Sequence, residues 1–599
     1  MITFPKPDVE QFLRTFSIGD FIVRPDEKQL VFSTNLSGKY NLWGMDLPNS
    51  FPYPLTSIDQ SCQELLFDKQ GRFIIAGFDQ DGNENTQFYG IPLKGGAMKA
   101  IVHHENTRNF MPILSNDSQR LYYTTSRGNP SFLNSYCLDL ESGQETQILE
   151  GEDAATYIIG FSPDEKTYLY HKHYANTYSL LYAKCGSKDM LLTPPSEKQH
   201  TVTHGVFVSD SLVYLLTDYD SDFTYLASFN LETNQFTKIK ELENESFTML
   251  KYNEELQLLL VASEKGVVDH LYELDLQNGN WSNIPIPCSV IVKLEVAKSG
   301  ALYLSGMSAT KPHNIYKKTG DEWVSLTKYT VPGVDSNELV EPDIIKYRTF
   351  DNLEIESLFF RAKKENDNGE VIFWPHGGPQ AAEREFFRAS FQFFLNNGYS
   401  IFAPNFRGST GYGLEFMKMV EGDWGNGPRM DNVAGLDWLI EQGYAQKGNI
   451  LLMGGSFGGY MALLLHGRHA DYFKAVVDIF GPSNLFSFIN SVPEDWKPVM
   501  DQWVGNPEKD REKLIEYSPI TYLDSMNKPM LVIQGANDPR VVKEESDQIV
   551  KALKEKGRSV EYMLLEDEGH GFSKKENEIA VYQKILSFLN QFTGVTENV

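Results

Sequence analysis

The chain has 599 residues, a net charge of −27 and four cysteines. Its length exceeds what one hydrophobic core holds and points to two or more domains, and its charge argues against nucleic acid or an anionic membrane as a partner. No apolar run reaches the roughly eighteen residues of a membrane helix, and Met1–Asp8 lacks a basic stretch followed by an apolar core, so the expectation is a cytoplasmic protein with no span and no leader.

Taken in chain order, the first signal is Val9, Phe12 and Leu13 at helical spacing, a short helix expected to pack on a later part of the chain. A repeat follows, in which a short polar turn precedes an aromatic or aliphatic strand. It reads Pro25-Asp26-Glu27 before Leu30-Val31-Phe32, Gln70-Gly71 before Phe73-Ile74-Ile75, Asn116-Asp117-Ser118 before Leu121-Tyr122-Tyr123, and Pro163-Asp164-Glu165 before Tyr168-Leu169-Tyr170. Fainter copies sit at Ser209-Asp210-Ser211, Glu254-Glu255 and Ser299-Gly300. The phases fall at positions 26, 70, 117, 164, 210, 254 and 299, spaced by 44 to 47 residues, and the copies carry a second strand near their end, such as Asn41–Leu47 or His270–Leu276. A period in the mid-forties with several short strands per unit is the mark of propeller blades, and seven phases predict a seven-bladed β-propeller. The four cysteines (Cys62, Cys137, Cys185, Cys288) all fall in this part with no metal-like spacing, and are expected as free, mostly buried thiols.

The repeats stop near Thr330–Ser336, which divides the chain into a propeller, 1–335, and a second domain, 336–599. A short β segment runs from Glu341 to Phe360. Val371–Pro375 reads as a strand and leads into His376-Gly377-Gly378-Pro379. Helical stretches are expected over 382–397, 429–444, 541–556 and 575–592. Asn449–Met453 is an apolar strand that enters Gly454-Gly455-Ser456-Phe457-Gly458 with a helix behind it. This is the local form of a nucleophile elbow: a serine on a strained strand-to-helix turn, flanked by small residues because strand and helix come close. Met530–Gly535 is a strand ending in Asn537-Asp538-Pro539-Arg540, and Val560–Glu566 is a strand ending in Glu568-Gly569-His570-Gly571-Phe572. Both candidate side chains thus follow the carboxyl ends of strands, where α/β sheets gather ligands.

Taken singly, each residue has a plainer reading: Asp538 as a helix cap, His570 as an exposed loop histidine, Ser456 as a small residue in a tight turn. In this order, each after a strand, they point to an acyl-transfer triad, because a serine hydroxyl needs an imidazole to take its proton and a carboxylate to orient that imidazole. The backbone N–H groups of Phe457 and of Gly378 (or Gly377) are the candidate oxyanion donors. His376 is read as a structural part of its loop.

The stretch from Ile372 to Phe592 resembles the catalytic domain of the prolyl oligopeptidase family of serine peptidases, in its acylaminoacyl-peptidase-like branch. The matching pieces, in order, are Trp374–Pro379, Asn405-Phe406-Arg407-Gly408-Ser409-Thr410-Gly411-Tyr412-Gly413, Asp423-Trp424-Gly425, the Ser456 elbow, Gly481–Leu485, Asn537–Val541 and Glu568–Phe572. The fold implied is a seven-bladed β-propeller followed by an α/β-hydrolase domain. The resemblance implies that the propeller covers the site and admits only short or unstructured peptides, and that the substrates are oligopeptides. Phe457, Phe480 and Trp496 are candidates for an apolar pocket beside Ser456, each equally readable as core or wall, and Arg540 is read as organising its loop. No metal or cofactor is expected; Gly411-Tyr412-Gly413 is too short for a dinucleotide loop. An exposed blade edge leaves a homo-oligomer open. Three functions stay in play: an oligopeptidase (acylaminoacyl-releasing, aminopeptidase-like or endopeptidase), a carboxylesterase acting on small esters with the same triad, and a propeller-based binding protein with a silent hydrolase domain.

Overall fold

The computed structural model describes residues 6–48, 51–58 and 60–593. Met1–Pro5, most of the stretch read for a leader, lies outside them. Seven four-stranded antiparallel sheets follow one another along the chain from Ile18 to Ser325, each built from four consecutive strands. The repeat phrase has a physical reason. Asp26, Asp117 and Asp164 each accept a backbone N–H two residues on, and the residue after each aspartate is left-handed: Glu27 at φ 55, Ser118 at φ 57 and Glu165 at φ 57. Gly71 and Gly300 fill the same place in two other blades, where glycine removes the steric cost.

Among the described residues each blade uses its own four strands, and no strand of the last blade completes the first. Side chains close the ring instead. Lys293 of the seventh blade pairs with Asp20 of the first at 2.6 Å, and Tyr303 and Lys317 reach Glu27 at 3.1 and 3.4 Å. Beneath them, Phe21, Leu30 and Phe32 pack with Tyr303 and Ile315.

The C-terminal part is one eight-stranded sheet. Its strands in chain order are β1 Asp343–Arg348, β2 Glu354–Phe360, β3 Glu370–Phe373, β4 Tyr399–Asn405, β5 Ile450–Gly455, β6 Phe473–Ile479, β7 Met530–Gly535 and β8 Val560–Leu565, lying in the order β1-β2-β4-β3-β5-β6-β7-β8. From β4 onward along the sheet the strands are parallel. Parallel strands need cover on both faces and read as continuous apolar runs. In β5, Ile450 and Leu452 face one cluster while Leu451 and Met453 face the other, and β7 divides in the same way. The short helix Val9–Leu13 buries Val9, Phe12 and Leu13 in the second cluster, beside Ile585, Phe588 and Leu589 of the helix Lys575–Asn590.

One expected helix is much shorter than its pattern. The 382–397 stretch is helical only over Ala389–Asn396. Residues 383–388 are taken by the propeller and the sheet: Arg384 pairs with Glu264 at 3.3 Å and with Asp269, and the Glu383 and Glu385 N–H groups donate to Asn405 and to Val267. Tertiary contact overrides local propensity there. The four thiols are free, with Cys62 and Cys288 buried and Cys185 exposed. No helix among the described residues is long and apolar enough to cross a membrane.

Candidate active site

Ser456 sits between β5 and the helix Phe457–His469, at φ 59 and ψ −123, a strained position for a non-glycine residue. The flanking glycines are required by contact. A Cβ on Gly454 would overlap the Gly458 carbonyl, and one on Gly458 would overlap the Pro375 carbonyl. The turn lifts the hydroxyl off the sheet and leaves the Phe457 N–H at a helix N-terminus, where negative charge is favoured.

The structure brings the three sequence candidates into one relay. The Ser456 hydroxyl lies 2.9 Å from His570 Nε2, and His570 Nδ1 lies 2.6 Å from Asp538 Oδ2. The other Asp538 oxygen accepts the N–H groups of Arg540 and Val541, each at 2.9 Å, so the carboxylate is fixed from both sides. With Asp538 accepting at Nδ1–H, Nε2 is left to accept the serine proton. Chemically this can activate a hydroxyl and return the proton to a leaving group.

The His376–Pro379 loop runs beside Ser456: a Cβ built on Gly377 would stand 3.4 Å from the serine Cβ. His376 is 3% exposed and stacked on Phe406 with centroids 4.2 Å apart. Its Nδ1 is 2.7 Å from the Gly377 carbonyl and its Nε2 is 2.8 Å from Ser409 Oγ. Burial drives its pKa down to about 4, which keeps it neutral. The Arg407–Gly413 segment is held from beneath, where Arg407 forms paired bonds with Asp431 and Asp351 at 2.8–2.9 Å. Phe457, a pocket candidate, turns its ring into the core; it is 2% exposed among Phe406, Trp424 and Tyr460. Phe480 is half-buried with its ring 4.6 Å from that of His570. Trp496 is half-buried against Trp503 and under the Arg540 guanidinium.

His570 opens onto a cavity of about 510 Å³ between the two parts of the chain, walled by Arg540 and Phe572 on one side and by Glu64, Asp79, Glu84 and Arg108 of the propeller on the other. Glu84 pairs with Arg540 at 2.7 Å. Glu64 accepts the Met111 N–H at 3.1 Å, and burial pushes its carboxyl up to about 7. These propeller residues carry no motif and lie far from the triad in sequence. Only the fold brings them to the site.

Residues 385–596 match the Prolyl oligopeptidase family. The chain carries a prolyl oligopeptidase family domain. Its relatives include dipeptidyl aminopeptidase BIII of Pseudoxanthomonas mexicana, 27% identical over 96% of this chain and 86% of the relative. The acylamino-acid-releasing enzyme of Arabidopsis thaliana is 28% identical over 40% of this chain and 32% of the relative. In fold, the chain is similar to a puromycin hydrolase crystal structure, with a TM-score of 0.86 at 17% identity, covering 100% of this chain and 98% of the other. An acylaminoacyl peptidase of Pyrococcus horikoshii gives 0.76 at 18%, covering 99% of each. Among these relatives and neighbours are an aminopeptidase and an acylaminoacyl peptidase.

Proposed function

We propose that this chain is a serine peptidase that hydrolyses short oligopeptides through an acyl-enzyme on Ser456. The observation that carries the reading is the unbroken Ser456–His570–Asp538 relay, whose histidine lines a charged interdomain cavity. In this reading Ser456 attacks the peptide carbonyl while His570 takes its proton. The oxyanion rests on the N–H groups of Phe457 and Gly378. His570 then protonates the leaving amine, and water hydrolyses the ester by the same route. The propeller forms one wall of the cavity and restricts entry to short or unfolded chains.

Charged walls favour peptides over small neutral esters. Among the described residues, Glu64 and Asp79 have no cation within ion-pair distance, so a free α-ammonium suits this cavity better than an acetyl cap. The similarity to a dipeptidyl aminopeptidase along nearly the whole chain supports the same preference.

The test is a cleavage screen over peptides with free amino ends, acetylated amino ends and internal sites, read by mass spectrometry with Ser456→Ala as control. The expected result is fastest release from free amino ends, with activity lost in the folded control by a factor on the order of 10⁴ or more. Turnover of p-nitrophenyl esters without any peptide cleavage would make the chain a carboxylesterase instead.

A further inference from the structure

Asp478 is a buried carboxyl that no step above uses. It lies near the C-terminal end of β6 with 0% exposure, and burial pushes its pKa up to about 8. Its Oδ1 accepts the Gly481 N–H at 3.0 Å, closing the turn Asp478-Ile479-Phe480-Gly481. That turn touches both reacting side chains' residues. The Ser456 N–H donates to the Ile479 carbonyl at 2.9 Å, and the Phe480 ring lies 4.6 Å from the His570 ring. Phe480 is held at φ 43, a strained conformation for a bulky side chain that persists only when the surroundings over-determine it. Two contacts do so: the Phe480 N–H donates to Ile533 of β7 at 2.8 Å, and Gly481 packs on the first turn of the Ser456 helix. There is no room for adjustment on that side, because a Cβ on Gly481 would overlap Gly459 and Tyr460 backbone, and one on Gly459 would press on Asp478 Oδ1.

We propose that Asp478 is a positioning residue: by accepting the Gly481 N–H it locks the strained 479–481 turn, and the turn sets Ser456 and His570 at reacting distance from one another. The proposal rests on the reading of Ser456 as nucleophile and His570 as base. It also assigns Phe480 a role as the backstop of the His570 ring rather than as a selective wall for substrate. Loss of the acceptor releases the turn, and a misplacement of about 1 Å between reacting groups costs on the order of 100-fold in rate.

The experiment is steady-state hydrolysis of free-amine dipeptide anilides by the full chain and by Asp478→Ala, Asp478→Asn, Phe480→Ala and Ser456→Ala, with thermal unfolding of each. Asp478→Ala and Phe480→Ala are expected to lower kcat on the order of 100-fold, with KM within about 3-fold and the side-chain preference unchanged. Asp478→Asn keeps an acceptor oxygen for Gly481 and is expected to retain at least about a third of kcat. A wild-type kcat in Asp478→Ala would overturn the proposal. So would a Phe480→Ala effect confined to KM or to side-chain preference. If Asp478→Ala fails to fold, an active Asp478→Asn together with a kcat loss in folded Phe480→Ala supports the proposal, and any other combination of the two overturns it. Activity in Ser456→Ala would bring down the nucleophile reading and this proposal together, whereas an inert Ser456→Ala beside a fully active Asp478→Ala sinks the positioning role alone.

Discussion

Burial separates His570, the proposed base, from its neighbour His376. His570 faces a cavity, between a hydroxyl and a carboxylate; His376, in the neighbouring loop, is enclosed and has its pKa driven to about 4. A folded pKa below the ordinary 6.5 means that the unfolded chain binds the proton first, so the contribution of neutral His376 is fully present above pH 6.5 and is lost as pH falls towards 4. The stability advantage of wild type over His376→Gln is therefore expected to shrink across that window, by up to about 1.4 kcal/mol for each pH unit crossed. Thermal unfolding of the two proteins from pH 7 to pH 4 checks this, and a gap that widens on acidification contradicts it. The three residues of the proposed triad could be picked out from the chain because each carries a local signature: a glycine-flanked turn, an Asx-Pro helix entry, a glycine-flanked loop. Asp478 and Phe480 carry none. A left-handed φ at Phe480 and a carboxyl closed in by Gly459 are properties of packing, and the candidate pocket role of the Phe457 ring gave no hint that three other aromatics would enclose it.

Between elements, the second blade does more than form a wall. Its connection at residues 79–86 presses on the loops that carry His570 and Asp538: Lys574 pairs with Asp81 at 2.8 Å, Arg540 of the Asp538 loop with Glu84 at 2.7 Å, and Gly82 meets Gly569 so closely that a side chain at either would collide with the other's backbone. Gly82 is also left-handed, at φ 76. Gly82→Val is expected to push the His570 loop away from Ser456 and lower kcat at least about 10-fold, in line with the sensitivity of acyl transfer to small displacements. The cost to thermal stability should be limited to the strain of one residue, about 1–3 kcal/mol. Kinetics and melting of the variant test this; an unchanged kcat in a folded protein would mean that the blade does not support the loop. This contact was not legible beforehand, because the 79–86 connection reads as an ordinary polar turn. The 382–388 stretch misled in the opposite direction, its helical pattern overruled by ion pairs from Arg384 to the sixth blade.

At the scale of the whole molecule, the two halves were legible to different degrees for physical reasons. The blade repeat could be read because five of its copies put a left-handed residue at the same place in the turn, after an Asp in three and as a glycine in two, and these copies keep the mid-forties period. The α/β sheet could be read because strands buried on both faces are written as unbroken apolar runs. The contacts by which one half sits on the other could not, since the ion pairs and glycine contacts that join them are separated by up to several hundred residues. The site is a product of that joining, with the relay from one half and much of the charged cavity wall from the other. Whether Ser456 is a nucleophile activated by His570 is decided by reaction of the full chain with a fluorophosphonate, mapped by peptide mass spectrometry and timed in parallel with His570→Ala. A single adduct on Ser456 is expected, formed on the order of 100-fold or more slowly in the variant. An adduct on another residue, or equal rates in the two proteins, would contradict it.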